Sequence, residues 1–311
     1  MLVSIVIPCY NSERTIGTVV DTAIEVFKGI DGYECEFVLV NDFSKDDTFG
    51  AIRKLSEKYP NVKGINLAKN FGQHNAIMAA LHYAEGDLIM GMDDDMQHHP
   101  DQIPLFLKKM EEGYDLVFGI YKKRKFNWMK DLFAKVNRVV MWKIIDRPKG
   151  IEMNSYWLAK KFVRDELIKF EGSDVYLQLL FFRTTHNIAE VEIEHHERTI
   201  GTSNYSFSKG LKVFMSSINY SVVPLRLATM FGGLFSAAGF LGAIIVLIRK
   251  LINPAIQAGW SSIMCAMLAL FGIAFLFLGI IGEYIGKLIL NSNRTPQFVV
   301  RETTNIDEIE E

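Results

Sequence analysis

Leu88-Ile89-Met90-Gly91-Met92-Asp93-Asp94-Asp95-Met96-Gln97 runs an apolar segment directly into three carboxylates. Residues 87–92 read as a strand, and three adjacent carboxylates repel one another unless they are solvated or bound to a cation. If strand geometry persists, positions 93, 95 and 97 face the same way. Asp93, Asp95 and Gln97 then offer oxygen ligands that suit Mg²⁺ or Mn²⁺, cations that also bind diphosphates. The residues alone leave an acidic surface turn open as well.

Working outward, residues 3–7, 36–40, 62–67 and 115–119 form further short apolar runs. Between them, residues 12–27, 47–59, 74–84 and 101–112 carry helical spacing. Strands that alternate with helices predict an α/β fold with a mostly parallel sheet covered on both faces. Ligands in such sheets bind beyond the carboxyl ends of the strands. Residues 8–12, 41–47 and 93–97 fall there, so three polar clusters meet at one rim.

The second half reads differently. Lys122, Lys123, Arg124 and Lys125 precede an amphipathic stretch to residue 147, with Trp128 and Trp142 in it. It fits a core-facing helix or one lying on an anionic membrane surface. Residues 190–195 alternate acidic and apolar side chains, as a half-exposed strand does, and residues 207–220 are again amphipathic. Residues 228–248 and 263–282 hold 21 and 20 consecutive uncharged residues, each long enough to cross a hydrocarbon core of about 30 Å. The expected organisation is a catalytic domain over 1–206, a juxtamembrane segment over 207–227, a two-helix transmembrane hairpin over 228–286 (about 228–248 and 263–284), and a cytoplasmic tail over 287–311 that ends in a solvated, frayed Asp307, Glu308, Glu310 and Glu311.

Basic residues flank the hairpin at Lys209, Lys212, Arg226, Lys287, Arg294 and Arg301, against Arg249 and Lys250 between the spans. The positive-inside bias then places both termini in the cytoplasm. With no basic leader before the first strand, the expectation is a multi-pass inner-membrane protein with a cytoplasmic catalytic domain.

Other classes are disfavoured. A net charge of −2 gives no basic excess to hold a nucleic-acid backbone. Cys9, Cys35 and Cys265 are too scattered for a disulfide framework or a thiolate zinc site. The pairs His98–His99 and His195–His196 would point to opposite faces of a strand, so they read as polar rim residues. No Gly-X-Gly-X-X-Gly follows a strand, which argues against a dinucleotide enzyme.

Taken together, Val-Ile-Pro-Cys-Tyr-Asn (6–11), Val-Asn-Asp-Phe-Ser-Lys-Asp-Asp-Thr (40–48), Lys-Asn-Phe-Gly-Gln-His-Asn-Ala (69–76) and Met-Asp-Asp-Asp-Met-Gln (92–97) carry a resemblance. Arg198, Gly201, residues 203–206, Pro224-Leu225-Arg226 and Gly-Glu-Tyr-Ile-Gly (282–286) extend it along the chain. The sequence resembles the GT-A fold of glycosyltransferase family 2, in the branch that acts on polyprenyl phosphates and includes dolichol-phosphate mannose synthases and bacterial undecaprenyl-phosphate sugar transferases.

That resemblance implies that Pro8, Tyr10, Asn11, Asn70 and Gln73 line a nucleotide pocket and that Asp42 accepts a hydrogen bond from the base. It places Asp93 by the ribose and diphosphate, with Asp93, Asp95 and Gln97 on Mg²⁺ or Mn²⁺, and sets His74 near the donor. Arg198 would serve catalysis beside Asp93 and Asp95, gripping the acceptor phosphate with Ser203, Tyr205 and Arg226. The implied reaction is inverting transfer of a hexose from a nucleotide-sugar donor, UDP-linked first, to undecaprenyl phosphate at the cytoplasmic membrane face, for cell-envelope glycan modification. A GDP-mannose-dependent synthase and an inactive membrane scaffold are the alternatives, and homo-oligomerisation stays open. A processive synthase is disfavoured, since none of Trp128, Trp142, Trp157 and Trp260 follows an arginine. Three departures stand out. Asn41-Asp42-Phe43 replaces two aspartates and a glycine, Asn204 replaces a lysine, and residues 151–161 lack an aspartate and an arginine in register, which leaves the donor sugar open.

Overall fold

A strand covered on both faces must be apolar at consecutive positions rather than alternate ones. Val3, Ile5, Val6 and Ile7 satisfy this with no exposure at all, and they form the central strand β1 (Leu2–Cys9). The computed structural model describes residues 1–121, 151–172, 175–194 and 295–306, with isolated positions between 248 and 288. The chain divides into two compact units, Met1–Asn204 with Arg294–Glu311, and Tyr205–Asn293.

In the first unit, β1 pairs in parallel with β2 (Glu34–Asn41) on one side and β4 (Leu88–Gly91) on the other. β2 continues in parallel to β3 (Val62–Leu67). Beyond β4 lies β6 (Trp157–Lys160), antiparallel to both β4 and β5 (Leu116–Tyr121), and β7 (Ile188–Ile193) closes that end parallel to β5. The order is β7-β5-β6-β4-β1-β2-β3-β8. The eighth strand, β8 (Val300–Thr304), lies antiparallel on β3. Part of the segment expected as a tail thus supplies the last strand of the sheet, and its acidic end, residues 307–311, lies outside the described residues.

Helices α1 (Ile16–Phe27), α2 (Thr48–Lys58), α3 (Gln73–Tyr83) and α4 (Ile103–Glu111) link the parallel strands. Helix α1 buries Ile16, Val19, Val20, Ala23 and Phe27, the i, i+3, i+4 stripe of a helix laid on a sheet. Two short helices, α5 (Lys161–Leu167) and α6 (Leu177–Thr184), follow β6. Phe181 of α6 meets the Trp157 ring edge-on at 4.8 Å and Phe118 at 5.9 Å, giving the β6 end of the sheet its own aromatic packing.

The membrane-hairpin part of the expected fold is corrected. Among the described residues no helix is long and apolar enough to cross a membrane. The described positions between 248 and 288 are helical, Gly259 apart. The remainder of both uncharged stretches lies outside the described residues. The physical reason is that an uncharged run is necessary for a span but not sufficient, since a span also needs one continuous helix of about 20 residues. The multi-pass localisation, which rested on that hairpin, is corrected with it. The amphipathic stretches 122–147 and 207–220 also lie outside the described residues.

Candidate active site

Strand order reverses at β1, where β2 leads one way and β4 the other, and this is where a crevice opens beyond the carboxyl ends of a parallel sheet. A cleft of about 420 Å³ lies there. Pro8, Cys9 and Tyr10 line it from the end of β1, and Asp42 from the end of β2. Asn70, Gly72 and Gln73 come from the start of α3, and Asp93, Asp94 and Asp95 from the end of β4. Six of the seven residues expected at the donor pocket therefore meet in one cleft. The seventh, Asn11, is exposed beside it at φ +57°, with its N–H donating to Ser44 Oγ at 3.0 Å and its Oδ1 accepting from Lys45 N at 2.9 Å.

Asp42 is 4% exposed. Its Oδ1 accepts the Phe71 N–H at 2.7 Å and its Oδ2 accepts the Gly72 N–H at 2.9 Å, while its carbonyl accepts from Asn70 Nδ2 at 3.0 Å. Burial pushes the carboxyl above its ordinary value, against the pull of the two amides. Asp42 thus ties the loop before α3 to β2 and fixes where Asn70 and Gln73 enter the cleft. Gly72, at φ +87°, makes that turn in a region where a side chain would be strained.

The three carboxylates have three environments. Asp93 Oδ1 accepts from Gln73 Nε2 at 2.9 Å and Oδ2 from Ser155 Oγ at 2.8 Å. Asp94 turns away from the alternation expected of its neighbours, accepting the Tyr10 N–H at 3.1 Å and the Ser12 hydroxyl. Burial, then the charges of Asp93 and Asp95, outweigh these two bonds and push it up to about 6. Asp95 Oδ1 accepts the Gln97 N–H at 3.1 Å, across a turn in which Met96 sits at φ +64°.

His98 is not a rim residue. It is 2% exposed, stacked on Tyr156 at 4.9 Å, and its Nδ1 accepts the Asp93 N–H at 3.1 Å. With Nδ1 acting as acceptor, its 3.3 Å approach to Asp93 Oδ2 is no ion pair. His99 is half-buried, its Nδ1 2.9 Å from Asp101 Oδ1. His74 meets Tyr176 edge-on at 5.5 Å. The sequence reading missed Asp94 and Ser155. The first was set aside by strand alternation, and the second lies in the segment that departs from the family pattern. Arg198, Ser203, Tyr205 and Arg226 lie outside the described residues.

The cleft fits a divalent cation shared with a substrate. Among the described residues no three His, Cys, Asp or Glu side chains are grouped to hold a metal by themselves. Asp93 and Asp95 instead offer two carboxylates in a cleft, the sparse protein ligation that Mg²⁺ accepts when phosphate oxygens and waters complete its shell.

A family model, described as glycosyl transferase family 2, matches residues 4–172. The chain belongs to glycosyl transferase family 2. It is a glycosyltransferase with the GT-A arrangement of sheet and helices. It is 34% identical over 310 residues to the Bacillus subtilis protein named uncharacterized glycosyltransferase YkcC, covering 98% of this chain and 94% of that one. It is 29% identical over 308 residues to the undecaprenyl-phosphate 4-deoxy-4-formamido-L-arabinose transferase of Proteus mirabilis, covering 98% and 94%. The protein of the same name from Shewanella sediminis is 30% identical over 313 residues, covering 96% and 92%. Among solved structures, glucosyl-3-phosphoglycerate synthase from Mycobacterium tuberculosis with phosphoglyceric acid superposes at a TM-score of 0.52, with 20% identity over 71% of this chain and 79% of that one. The same enzyme with Mn²⁺ and UDP-glucose gives 0.50, with 18% identity over 70% and 76%. At these identities the likeness shows a shared fold.

Proposed function

We propose that this glycosyltransferase moves a hexose from a nucleotide-sugar donor, UDP-linked in the first instance, to a polyprenyl phosphate such as undecaprenyl phosphate. The observation that carries the reading is the convergence of Asp42, Gln73, Asp93 and Asp95 in one cleft at the switch point of the sheet. The names of the Proteus and Shewanella relatives support the acceptor class, since this chain aligns along nearly its whole length with both.

The donor's diphosphate lies against Asp93 and Asp95, and its nucleoside along Pro8, Tyr10 and the Asp42 loop. A bound Mg²⁺ or Mn²⁺, such as the Mn²⁺ of the mycobacterial synthase, offsets the charge that the departing nucleoside diphosphate gains. Gln73 and Ser155 hold the Asp93 carboxylate from either side, so it need not reorganise as that charge develops. The acceptor is a phosphate monoester whose second pKa, by analogy with phosphoserine, is about 6. It is mostly dianionic at neutral pH and attacks without a protein base. The bond from its oxygen to the anomeric carbon forms as the bond from that carbon to the β-phosphate oxygen breaks, with inversion. Arg198, Ser203, Tyr205 and Arg226 are the proposed acceptor-phosphate residues, and Gln97 the proposed third metal ligand.

A donor screen with undecaprenyl phosphate, read by product mass, tests this. A UDP-hexose should give a lipid-linked sugar, with loss of product in excess chelator and in Asp95→Asn. A lipid-linked mannose from GDP-mannose alone would select the other nucleotide. Absence of lipid product from every donor would overturn the acceptor, and full turnover in excess chelator would overturn the metal.

A further inference from the structure

Glu302 of β8 sits at one end of an unbroken run of side-chain hydrogen bonds that finishes at the pocket loop. Asn66 Nδ2 donates to Glu302 Oε1 at 2.7 Å, and Asn41 Nδ2 donates to Asn66 Oδ1 at 2.8 Å. Asn41 Oδ1 accepts both the Ser44 N–H at 3.2 Å and the Ser44 hydroxyl at 2.5 Å. Ser44 Oγ in turn accepts the Asn11 N–H at 3.0 Å. Asn41 is 5% exposed.

The direction of this run is forced. A carboxylate only accepts, so Asn66 must present its amide nitrogen to Glu302 and its oxygen to Asn41. Asn41 must then donate to Asn66, which turns its own oxygen to Ser44. Every later bond follows, down to the Asn11 N–H. The other Glu302 oxygen, Oε2, accepts from Arg53 Nη2 at 3.2 Å, which fixes which oxygen faces Asn66. An aspartate at position 41 would place an acceptor against the Asn66 oxygen.

We propose that Glu302, Asn66 and Asn41 are positioning residues through which strand β8 sets the conformation of the Asn11 loop and so the affinity of the nucleotide pocket; this rests on the pocket reading given above. Asn11 is held in the left-handed region at φ +57°. That conformation is uncommon outside glycine and persists when its surroundings fix it. The run ends on the backbone N–H of that residue. The asparagine at 41 and the glutamate at 302 are therefore a matched pair.

The matched pair makes a reversal testable. Asn41→Asp sets two acceptors face to face. Glu302→Gln, whose amide oxygen stays on Arg53, turns an amide nitrogen toward Asn66 and sets two donors face to face. In the double variant Asn66 turns over, donating to the carboxylate now at position 41 and accepting from the amide now at position 302, and every bond is satisfied again. A mismatch of this kind is expected to raise amide exchange at Ser44 and Asn11, and to weaken UDP-sugar binding, by about tenfold in Asn41→Asp, where the bond is buried, and by less in Glu302→Gln, where it lies at the surface. The double variant should return both readings to near the wild-type level. A double variant as impaired as the two singles combined overturns the proposal. So does unchanged exchange in Glu302→Gln, a surface substitution that keeps the test open if Asn41→Asp does not fold. If exchange follows this pattern in a protein that binds no nucleotide sugar, the run of bonds stands and the pocket reading falls.

Discussion

The hydroxyl of Ser155 donates to Oδ2 of Asp93 at 2.8 Å, which brings residues 151–161, one of the segments read as departing from the family pattern, onto the first of the three carboxylates. Asn154 anchors the same turn through its Nδ2 on the Gly119 carbonyl at 2.8 Å. The segment therefore orients the carboxylate proposed to hold the cation. Ser155→Ala is expected to lower kcat/KM by about tenfold to a hundredfold, the usual cost of losing a group that orients a metal ligand. The Mg²⁺ or Mn²⁺ concentration for half-activation should rise in step, with little change in melting temperature. Ser155→Thr, which keeps the hydroxyl, should recover most of the loss.

Asp94 makes neutral pH costly for the metal-free protein. Burial and its two acidic neighbours push the folded carboxyl up to about 6, so the folded state holds its proton more tightly than the unfolded chain. Stability therefore falls as pH rises from about 4 to about 6 and stays lower above that, by roughly 3 kcal/mol. Thermal melts of metal-free protein should show this fall. Asp94→Asn should flatten it and should melt higher than wild type at pH 7.5 but not at pH 4. An unchanged pH profile in that variant would show that another group is responsible.

At the opposite end of the strands, Lys63 Nζ lies 2.9 Å from both Glu36 Oε2 and Glu85 Oε1. Burial alone would raise Glu36, but the Ser4 hydroxyl, the Glu85 N–H and Lys63 outweigh it and hold the carboxyl below its ordinary value. Burial likewise opposes the Lys63 charge, yet Glu85 and Glu36 raise it overall. The stability Glu36 contributes is thus present at neutral pH and lost as pH falls below the ordinary glutamate range. That of Lys63 is present at neutral pH and lost as pH rises past the ordinary lysine range. Lys63→Met leaves a buried carboxylate without its cation and is expected to cost about 3 kcal/mol in urea denaturation. Adding Glu36→Gln should recover part of it.

Gly91 pairs with Trp157 across β4 and β6, and a Cβ at Gly91 would lie 2.3 Å from the indole Cε2. Trp157 is 1% exposed and cannot swing away. Gly91→Ala should cost about 1–3 kcal/mol as an overpacked core does, and pairing it with Trp157→Phe should recover part. Equal stability of Gly91→Ala and wild type in denaturant titrations would show that the strands part more easily than this register implies.

Much of the fold and the site was legible because it depends on local pattern. A strand buried on both faces must be largely apolar at consecutive positions, so residues 3–7 and 37–40 declare themselves as parallel strands, and the carboxylates that follow residues 87–92 declare the rim. Nothing local says that β6 enters antiparallel between β4 and β5, that residues 300–304 return to cover β3, or that Ser155 meets Asp93. Those are pairings between residues far apart in the chain, decided by which edges and faces remain uncovered. Local pattern also misled. Strand alternation turned Asp94 away from the site, whereas the chain bends at Met96 and buries that carboxylate against Tyr10 and Ser12. The uncharged stretches suggested membrane spans, whereas no helix among the described residues has the length and apolarity for one. Sequence by itself determined which segments must be buried and where charge collects. Only the tertiary structure decided which partner buries each segment and what each charge touches, because burial is a demand that a segment makes alone and pairing is an answer that two segments make together.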